Sequence, residues 1–118
     1  MNAIFVDTWA WYALANKRDS EHERAKAIIN DITNQNTPLV TTSLVIYESV
    51  TLTRYDLGYP AAKKLRDTLN ALVDADGLHV EFLRSNLEIK SWAIFDKYAD
   101  QDFSFVDCYS FAMMKHQK

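Results

Sequence analysis

This sequence has very little glycine, proline and cysteine. Its 118 residues include two glycines, two prolines and a single cysteine, Cys108. Two glycines are too few for a glycine-rich loop that cradles nucleotide phosphates, so a nucleotide-cofactor fold is disfavoured. One cysteine cannot form an internal disulfide, and the N-terminal residues do not resemble a secretion signal, so we expect a reducing cytoplasm.

The sequence also lacks a long apolar run and an excess of positive charge. No stretch approaches the roughly 20 apolar residues of a membrane span, so we expect no membrane association. The formal net charge is −3, whereas proteins that hold nucleic acid by charge alone are strongly basic. Any contact with nucleic acid is therefore expected to be local or assisted by a metal ion.

What the chain does contain is typical of one globular domain. Apolar residues make up 48% of it, which is enough for a core, and the length fits a single domain over 1–118. A short apolar run at 3–6 and strand-like segments at 39–42 and 78–82 alternate with helical patterns. This alternation predicts an α/β fold with a parallel sheet covered on both faces.

The predicted helices carry local start signals and apolar stripes. Ser20, three residues before Glu23, is placed as the N-cap of one helix. Thr42 or Ser43 is placed to cap the helix that follows the second strand. The apolar stripe of that helix consists of Leu44, Leu52 and Tyr55. A later helix is predicted through Leu87, Trp92 and Phe95.

Asp7 stands where the first predicted strand gives way to a helix, in "IFVDTW". The carboxyl ends of strands in open α/β sheets tend to hold ligands, so Asp7 is a candidate functional residue. It is also a candidate N-cap, because an aspartate at this point accepts hydrogen bonds from the first turn. Taken alone, its position favours the cap.

Glu48 lies in the middle of a predicted apolar stripe, four residues after Leu44 and four before Leu52. A buried, unpaired carboxylate is costly and is normally protonated, paired or bound to a metal ion. A salt bridge to Arg54 or to a lysine is the alternative to a functional role.

Asp107 stands three residues after Ser104, which fits a capping box at the start of the last helix. In a parallel α/β fold, however, Asp7, Glu48 and Asp107 can converge on one edge of the sheet. Clustered carboxylates repel one another, and a hard divalent cation relieves that repulsion by accepting their oxygens as ligands. Convergence of the three acids therefore predicts Mg²⁺ or Mn²⁺. Zinc is disfavoured because the three histidines and the lone cysteine lack the spacing of zinc ligands.

Three stretches resemble characteristic blocks of the PIN-domain ribonucleases, especially the VapC-type toxins. They are "IFVDTWAWYAL", "VTTSLVIYESVTLTRYDLGYPAA" and "KYADQDFSFVDCYSFAMM". The resemblance implies a three-layer α/β/α fold with a short central parallel sheet. It matches Asp7, Glu48 and Asp107 to catalytic, metal-binding acids. It matches Asp100 and Ser104 to further positions of a "D-x-x-x-S-x-x-D" block, as an additional ligand and a supporting residue.

One part of the family pattern is not found. In these relatives the last helix is followed by a strand and a fourth acidic residue, in a sequence like "T-F-D-x-H-F", whereas this sequence ends at "MMKHQK". We expect weaker metal binding, most of all at a second ion, and a sheet edge without that strand.

The resemblance implies a metal-dependent endoribonuclease that hydrolyses RNA phosphodiester bonds, as the toxin of a toxin–antitoxin pair. It implies single-stranded RNA as substrate, a cognate antitoxin and a homodimer, but not which residues contact the RNA. Trp9 and Trp11 are expected to divide between the core and a dimer surface. The alternative is a catalytically silent PIN-like module that acts through RNA or protein contacts.

Overall fold

The computed structural model describes residues 3–116, which contain six helices and three short strands. In chain order they are β1 (Ile4–Phe5), α1 (Thr8–Ala15), α2 (His22–Asn34), β2 (Leu39–Thr42), α3 (Ser43–Leu57), α4 (Tyr59–Asp74), β3 (Leu78–Glu81), α5 (Ser85–Lys97) and α6 (Phe105–His116). They group into two compact units, one ending at Glu81 and the other beginning at Phe82. The predicted α/β class is confirmed, and the single domain over 1–118 stays a prediction.

The first unit contains a short parallel sheet in the order β1-β2-β3. Leu39 of β2 pairs with Ile4 on one side and with Leu78 on the other. All four residues of β2 are buried, as expected for a central strand of a parallel sheet. Because the strands are parallel, their carboxyl ends lie along one edge, which is where β1 leads into α1 and β2 into α3.

Local signals set both ends of α3, and the signal at its start is the predicted one. The Thr42 hydroxyl accepts a hydrogen bond from the backbone N–H of Val45 at 3.0 Å, so Thr42 is the N-cap. At the other end Gly58 has φ of 93°, a conformation that a glycine adopts without the steric penalty of a side chain. Its backbone N–H donates to the Arg54 carbonyl at 2.9 Å and closes the helix.

The prediction that Ser20 caps α2 is wrong. The residue before the helix is Glu21, which makes no side-chain cap hydrogen bond. Instead, Asp19 Oδ1 accepts from the backbone N–H of Glu21 at 2.8 Å, and the Asp19 carbonyl accepts from that of His22 at 3.0 Å. Ser20 therefore lies inside a turn that Asp19 organises, because an aspartate side chain competes well for nearby backbone N–H groups.

The apolar stripe predicted on α3 is not the face that this helix buries. Leu52 is 37% exposed and Tyr55 is 80% exposed, whereas Val45, Ser49 and Thr53 are buried. Ser49 Oγ donates to the Val45 carbonyl and Thr53 Oγ1 to the Ser49 carbonyl, both at 2.7 Å. Because each hydroxyl is satisfied within its own helix, these small polar side chains are buried without an unpaired group.

The second unit is a pair of helices, α5 and α6, that pack against each other. The helix predicted through Leu87, Trp92 and Phe95 is α5, in which Leu87 is fully buried whereas Trp92 and Phe95 are exposed. The Trp92 ring instead lies 4.5 Å from the ring of Phe105, centroid to centroid. The Tyr109 hydroxyl accepts from the backbone N–H of Arg84 at 2.9 Å and ties the start of α5 to α6. Across the described residues, no helix is both long and apolar enough to cross a membrane.

Candidate active site

Asp7 follows β1 and is the N-cap of α1. Its Oδ1 accepts a hydrogen bond from the backbone N–H of Ala10 at 3.2 Å, which confirms the capping interpretation. The side chain is exposed, and Oδ2 accepts no hydrogen bond from the rest of residues 3–116. Capping therefore engages one carboxylate oxygen and leaves the other available to a ligand.

A buried threonine hydroxyl fixes the junction between β1 and α1. Thr41 Oγ1 donates to the Val6 carbonyl at 2.8 Å and accepts from Trp11 Nε1 at 3.4 Å. Both Thr41 and Trp11 are fully buried. Since the two hydrogen bonds bracket Asp7 in sequence, they fix the point at which its side chain leaves the sheet edge. The sequence gives no signal for this role, because a threonine in a buried strand does not reveal its partners.

Glu48 is half-buried in the second turn of α3. Its carboxylate makes no ion pair or hydrogen bond with any other described residue. Arg54 instead holds its guanidinium carbon 5.4 Å from the centre of the Tyr59 ring. The salt-bridge interpretation is therefore wrong for the described part of the chain. A half-buried carboxylate without an internal partner is a candidate ligand for a cation.

Asp7 and Glu48 belong to the same unit, and each comes after the carboxyl end of one of two neighbouring strands. Asp7 follows the carboxyl end of β1, and Glu48 belongs to the helix that follows the carboxyl end of β2. Helices α1 and α3 pack against each other. This is the edge at which a parallel sheet is expected to hold a ligand.

Ser104 and Asp107 form a capping box at the start of α6, in the second unit. The backbone N–H of Ser104 donates to Asp107 Oδ2 at 3.0 Å, and that of Asp107 donates to Ser104 Oγ at 3.0 Å. The capping interpretation of both residues is confirmed. Asp107 is half-buried, and its Oδ1 is free of hydrogen bonds within residues 3–116. Asp100 is exposed in the segment between α5 and α6.

The donor chemistry fits a hard cation better than zinc. Asp7, Glu48 and Asp107 each offer carboxylate oxygen without an internal partner, and oxygen is the donor that Mg²⁺ and Mn²⁺ prefer. Burial raises the pKa of the Cys108 thiol, and the Asp107 carboxylate adds to that rise, so a zinc-binding thiolate is disfavoured. His22 places Nδ1 2.9 Å from the Ala13 carbonyl oxygen, so this ring nitrogen is engaged by the backbone.

The described residues do not form a complete metal centre by themselves. Within 3–116, no three His, Cys, Asp or Glu side chains are grouped so that they could hold a metal ion. The ligand set of Asp7, Glu48 and Asp107, with Asp100 added, therefore stays a prediction.

Comparison with known proteins decides the family. The model of the PIN domain matches residues 4–118, almost the whole chain. This chain belongs to the PIN domain family. The predicted family membership is confirmed, and so is the PIN-type α/β fold with its short parallel sheet.

Two similarities show which kind of PIN domain this one resembles. It is 31% identical over 112 residues to the 23S rRNA-specific endonuclease VapC20 from two strains of Mycobacterium tuberculosis, which covers 95% of this chain and 80% of VapC20. The crystal structure of Mycobacterium tuberculosis VapC20, a toxin that cleaves the sarcin-ricin loop, matches it with a TM-score of 0.79 at 30% identity. That match covers 97% of this PIN domain and 82% of the VapC20 chain.

Proposed function

We propose that this PIN domain is a metal-dependent endoribonuclease and the toxin of a toxin–antitoxin pair. The similarity to an rRNA endonuclease over 95% of the chain supports the reaction class. The observation that carries the proposal is Glu48, a half-buried carboxylate that no described residue pairs with. A carboxylate in that state costs stability unless a ligand uses it.

Asp7, Glu48 and Asp107 would hold Mg²⁺ or Mn²⁺, with Asp100 as an additional ligand. Such an ion activates water and offsets negative charge on the scissile phosphate and the leaving oxygen. The caps of α1 and α6 each hold one carboxylate oxygen, so the second oxygens of Asp7 and Asp107 keep a defined direction. Ser104 acts on the site through its hydrogen bonds with Asp107 and so supports its orientation.

The acids also determine how RNA approaches. The chain carries a net charge of −3, and uncompensated carboxylates repel a phosphate backbone. RNA binding at this site should therefore depend on the cation that neutralises them. We propose RNA as the substrate, single-stranded where it is cut.

Protein partners complete the proposal. A toxin of this kind has a cognate antitoxin, and we propose that this chain also forms a homodimer and acts in the cytoplasm. Tyr47, Leu52 and Tyr55 are exposed on α3, and exposed apolar and aromatic side chains of this kind are suited to protein contacts.

The test is cleavage of a mixed RNA pool by the purified chain in Mg²⁺ or Mn²⁺. The controls are the same reaction in EDTA and the Asp7→Asn protein, whose cap is preserved. We expect cleavage that EDTA and the substitution both abolish. A folded, antitoxin-free chain that cuts no RNA would contradict the nuclease and favour the catalytically silent binding module.

A further inference from the structure

Trp9 lies on the surface, although a tryptophan gains more than most residues from burial. Its side chain is 57% exposed, whereas Trp11, two residues later, is fully buried and fills the core. One of the two rings therefore belongs to the core, as predicted, and a dimer surface at the other stays a prediction. A ring left in water gives up the favourable free energy of burial, so the position of Trp9 calls for an explanation.

The ring of Trp9 forms an aromatic surface together with the ring of Tyr12 on α1. Trp9 lies in the first turn of α1, two residues after Asp7. Its ring is stacked beside that of Tyr12, with centroids 6.4 Å apart and planes 30° apart. The Tyr12 hydroxyl donates to Asp56 Oδ2 at 2.8 Å and accepts from Asn16 Nδ2 at 3.2 Å. These bonds hold the neighbouring ring in place, so the surface is ordered before any ligand arrives.

A cleft opens beside Trp9, between α1 and α2. Its volume is about 390 Å³, and its lining includes Ala10, Ala13 and Ala25. Small side chains leave room there for a planar group, and the volume lies at the lower end of the range for small-ligand sites. Arg24 also lines the cleft, paired with Glu21 at 3.4 Å, and its side chain is 74% exposed. Exposed pairs of this kind are weak, so the guanidinium can turn to a phosphate.

RNA is the occupant that this combination favours. Every nucleobase has a face that stacks on an aromatic ring, and an arginine nearby can contact the phosphate of the same nucleotide. The chain is acidic overall, so it must hold RNA through local contacts and not through a general basic surface. Trp9 and Arg24 supply two such contacts at one cleft, and Trp9 lies two residues after Asp7.

We propose that Trp9 is a stacking platform for the base of a nucleotide that flanks the scissile phosphate. The inference rests on the proposed function, because it places that phosphate at Asp7. Trp9 positions the substrate and takes no part in the chemistry.

The test measures binding of a fluorescein-labelled, single-stranded RNA oligonucleotide by anisotropy, in Mg²⁺ and in the Asp7→Asn background. Loss of base stacking raises Kd by roughly 5- to 150-fold. We therefore expect an increase in that range when Trp9→Ala is added to the Asp7→Asn protein. Added Trp9→Phe should recover most of the affinity because it keeps a ring. Tyr59→Ala, which removes an exposed ring elsewhere in the same unit, should change Kd by less than about 2-fold. Photocrosslinking of 5-iodouridine RNA should label the α1 peptide only when Trp9 is present.

Cleavage by the wild-type protein, with and without EDTA, is measured in parallel. The stacking platform is overturned if the Asp7→Asn proteins with and without Trp9 have equal Kd, or if neither binds RNA. This holds even if the wild type cleaves RNA. Equal Kd together with a changed oligomeric state in Trp9→Ala would assign Trp9 to a protein interface instead. Trp9-dependent binding without cleavage by the wild type would overturn the nuclease and retain the platform as an RNA contact.

Discussion

The backbone N–H of Ser104 donates to Asp107 Oδ2, and the backbone N–H of Asp107 donates back to Ser104 Oγ, each at 3.0 Å. Ser104→Ala should therefore lower the free energy of unfolding by about 1 kcal/mol through loss of the cap. Cleavage should stay close to that of the wild type, because the backbone N–H that donates to Asp107 Oδ2 is retained when Ser104 becomes alanine. Urea unfolding and RNA cleavage measure the two effects.

Asp107→Asn is the complementary change, because asparagine removes the charge and retains an acceptor for the Ser104 N–H. We expect a small change in stability and loss of metal-dependent cleavage. Wild-type cleavage by this variant would show that Asp107 is a cap and nothing more.

Asp7→Asn and Asp7→Ala should separate the structural role of Asp7 from its catalytic one. Asparagine caps helices about as well as aspartate, so Asp7→Asn should unfold within a few tenths of a kcal/mol of the wild type, whereas Asp7→Ala should lose about 1 kcal/mol. Both should lose cleavage, since both lack the second charged oxygen. If only Asp7→Ala is impaired, the carboxylate serves the helix alone.

Glu48→Gln should leave the metal-free protein at least as stable as the wild type, because Glu48 has no side-chain partner to lose among residues 3–116 and glutamine removes a half-buried, unpaired charge. Mn²⁺ should raise the melting temperature of the wild type and raise that of Glu48→Gln much less, since a ligand stabilises the state that binds it. Thermal unfolding in EDTA and in Mn²⁺ measures both. A loss of about 2 kcal/mol or more in EDTA would point to an internal partner for Glu48.

Tyr12 should contribute to stability at neutral pH and cease to do so in alkali. Its hydrogen bond to Asp56 is the main reason that the pKa of Tyr12 is raised, with desolvation adding to the rise and the Asn16 hydrogen bond opposing it. A raised pKa in the folded state favours the protonated form, so the stabilisation is present below about pH 10 and is lost as pH rises through the folded pKa. The difference in stability between wild type and Asp56→Asn should shrink over that range. Alkaline titration by tyrosine absorbance, with Tyr12→Phe as reference, measures the pKa of Tyr12. The pKa should be lower in Asp56→Asn than in the wild type. An unchanged pKa would contradict Asp56 as the main cause of the rise.

The elements of the fold were predictable because their signals are local. The strand-like segments at 39–42 and 78–82 became β2 and β3, Thr42 capped α3, and Ser104 with Asp107 formed the capping box. Each of these depends on residues within a few positions of one another, so neighbouring sequence is enough to specify it.

The faces of the helices were less predictable because they depend on packing partners. On α3 the pattern favoured Leu52 and Tyr55 as buried, yet Ser49 and Thr53 occupy the buried face. Their hydroxyls bond within the helix, and hydrophobicity alone does not record that. Asp7 and Asp107 were placed correctly at the starts of α1 and α6. The surroundings of Glu48 and the exposure of Trp9 required the structure.

The Thr41 hydroxyl has a consequence for how Asp7 fluctuates. It belongs to the central strand and makes one hydrogen bond on each side of Asp7 in the sequence. It donates to the Val6 carbonyl and accepts from Trp11 Nε1. The junction cannot open unless a fully buried threonine and a fully buried tryptophan separate, so it belongs to the most slowly opening part of its unit. The backbone amide of Val6, which donates to the Val40 carbonyl at 2.9 Å, should exchange its hydrogen with solvent as slowly as the centre of the sheet. We therefore expect the exposed Asp7 carboxylate to rest on a part of its unit that opens slowly.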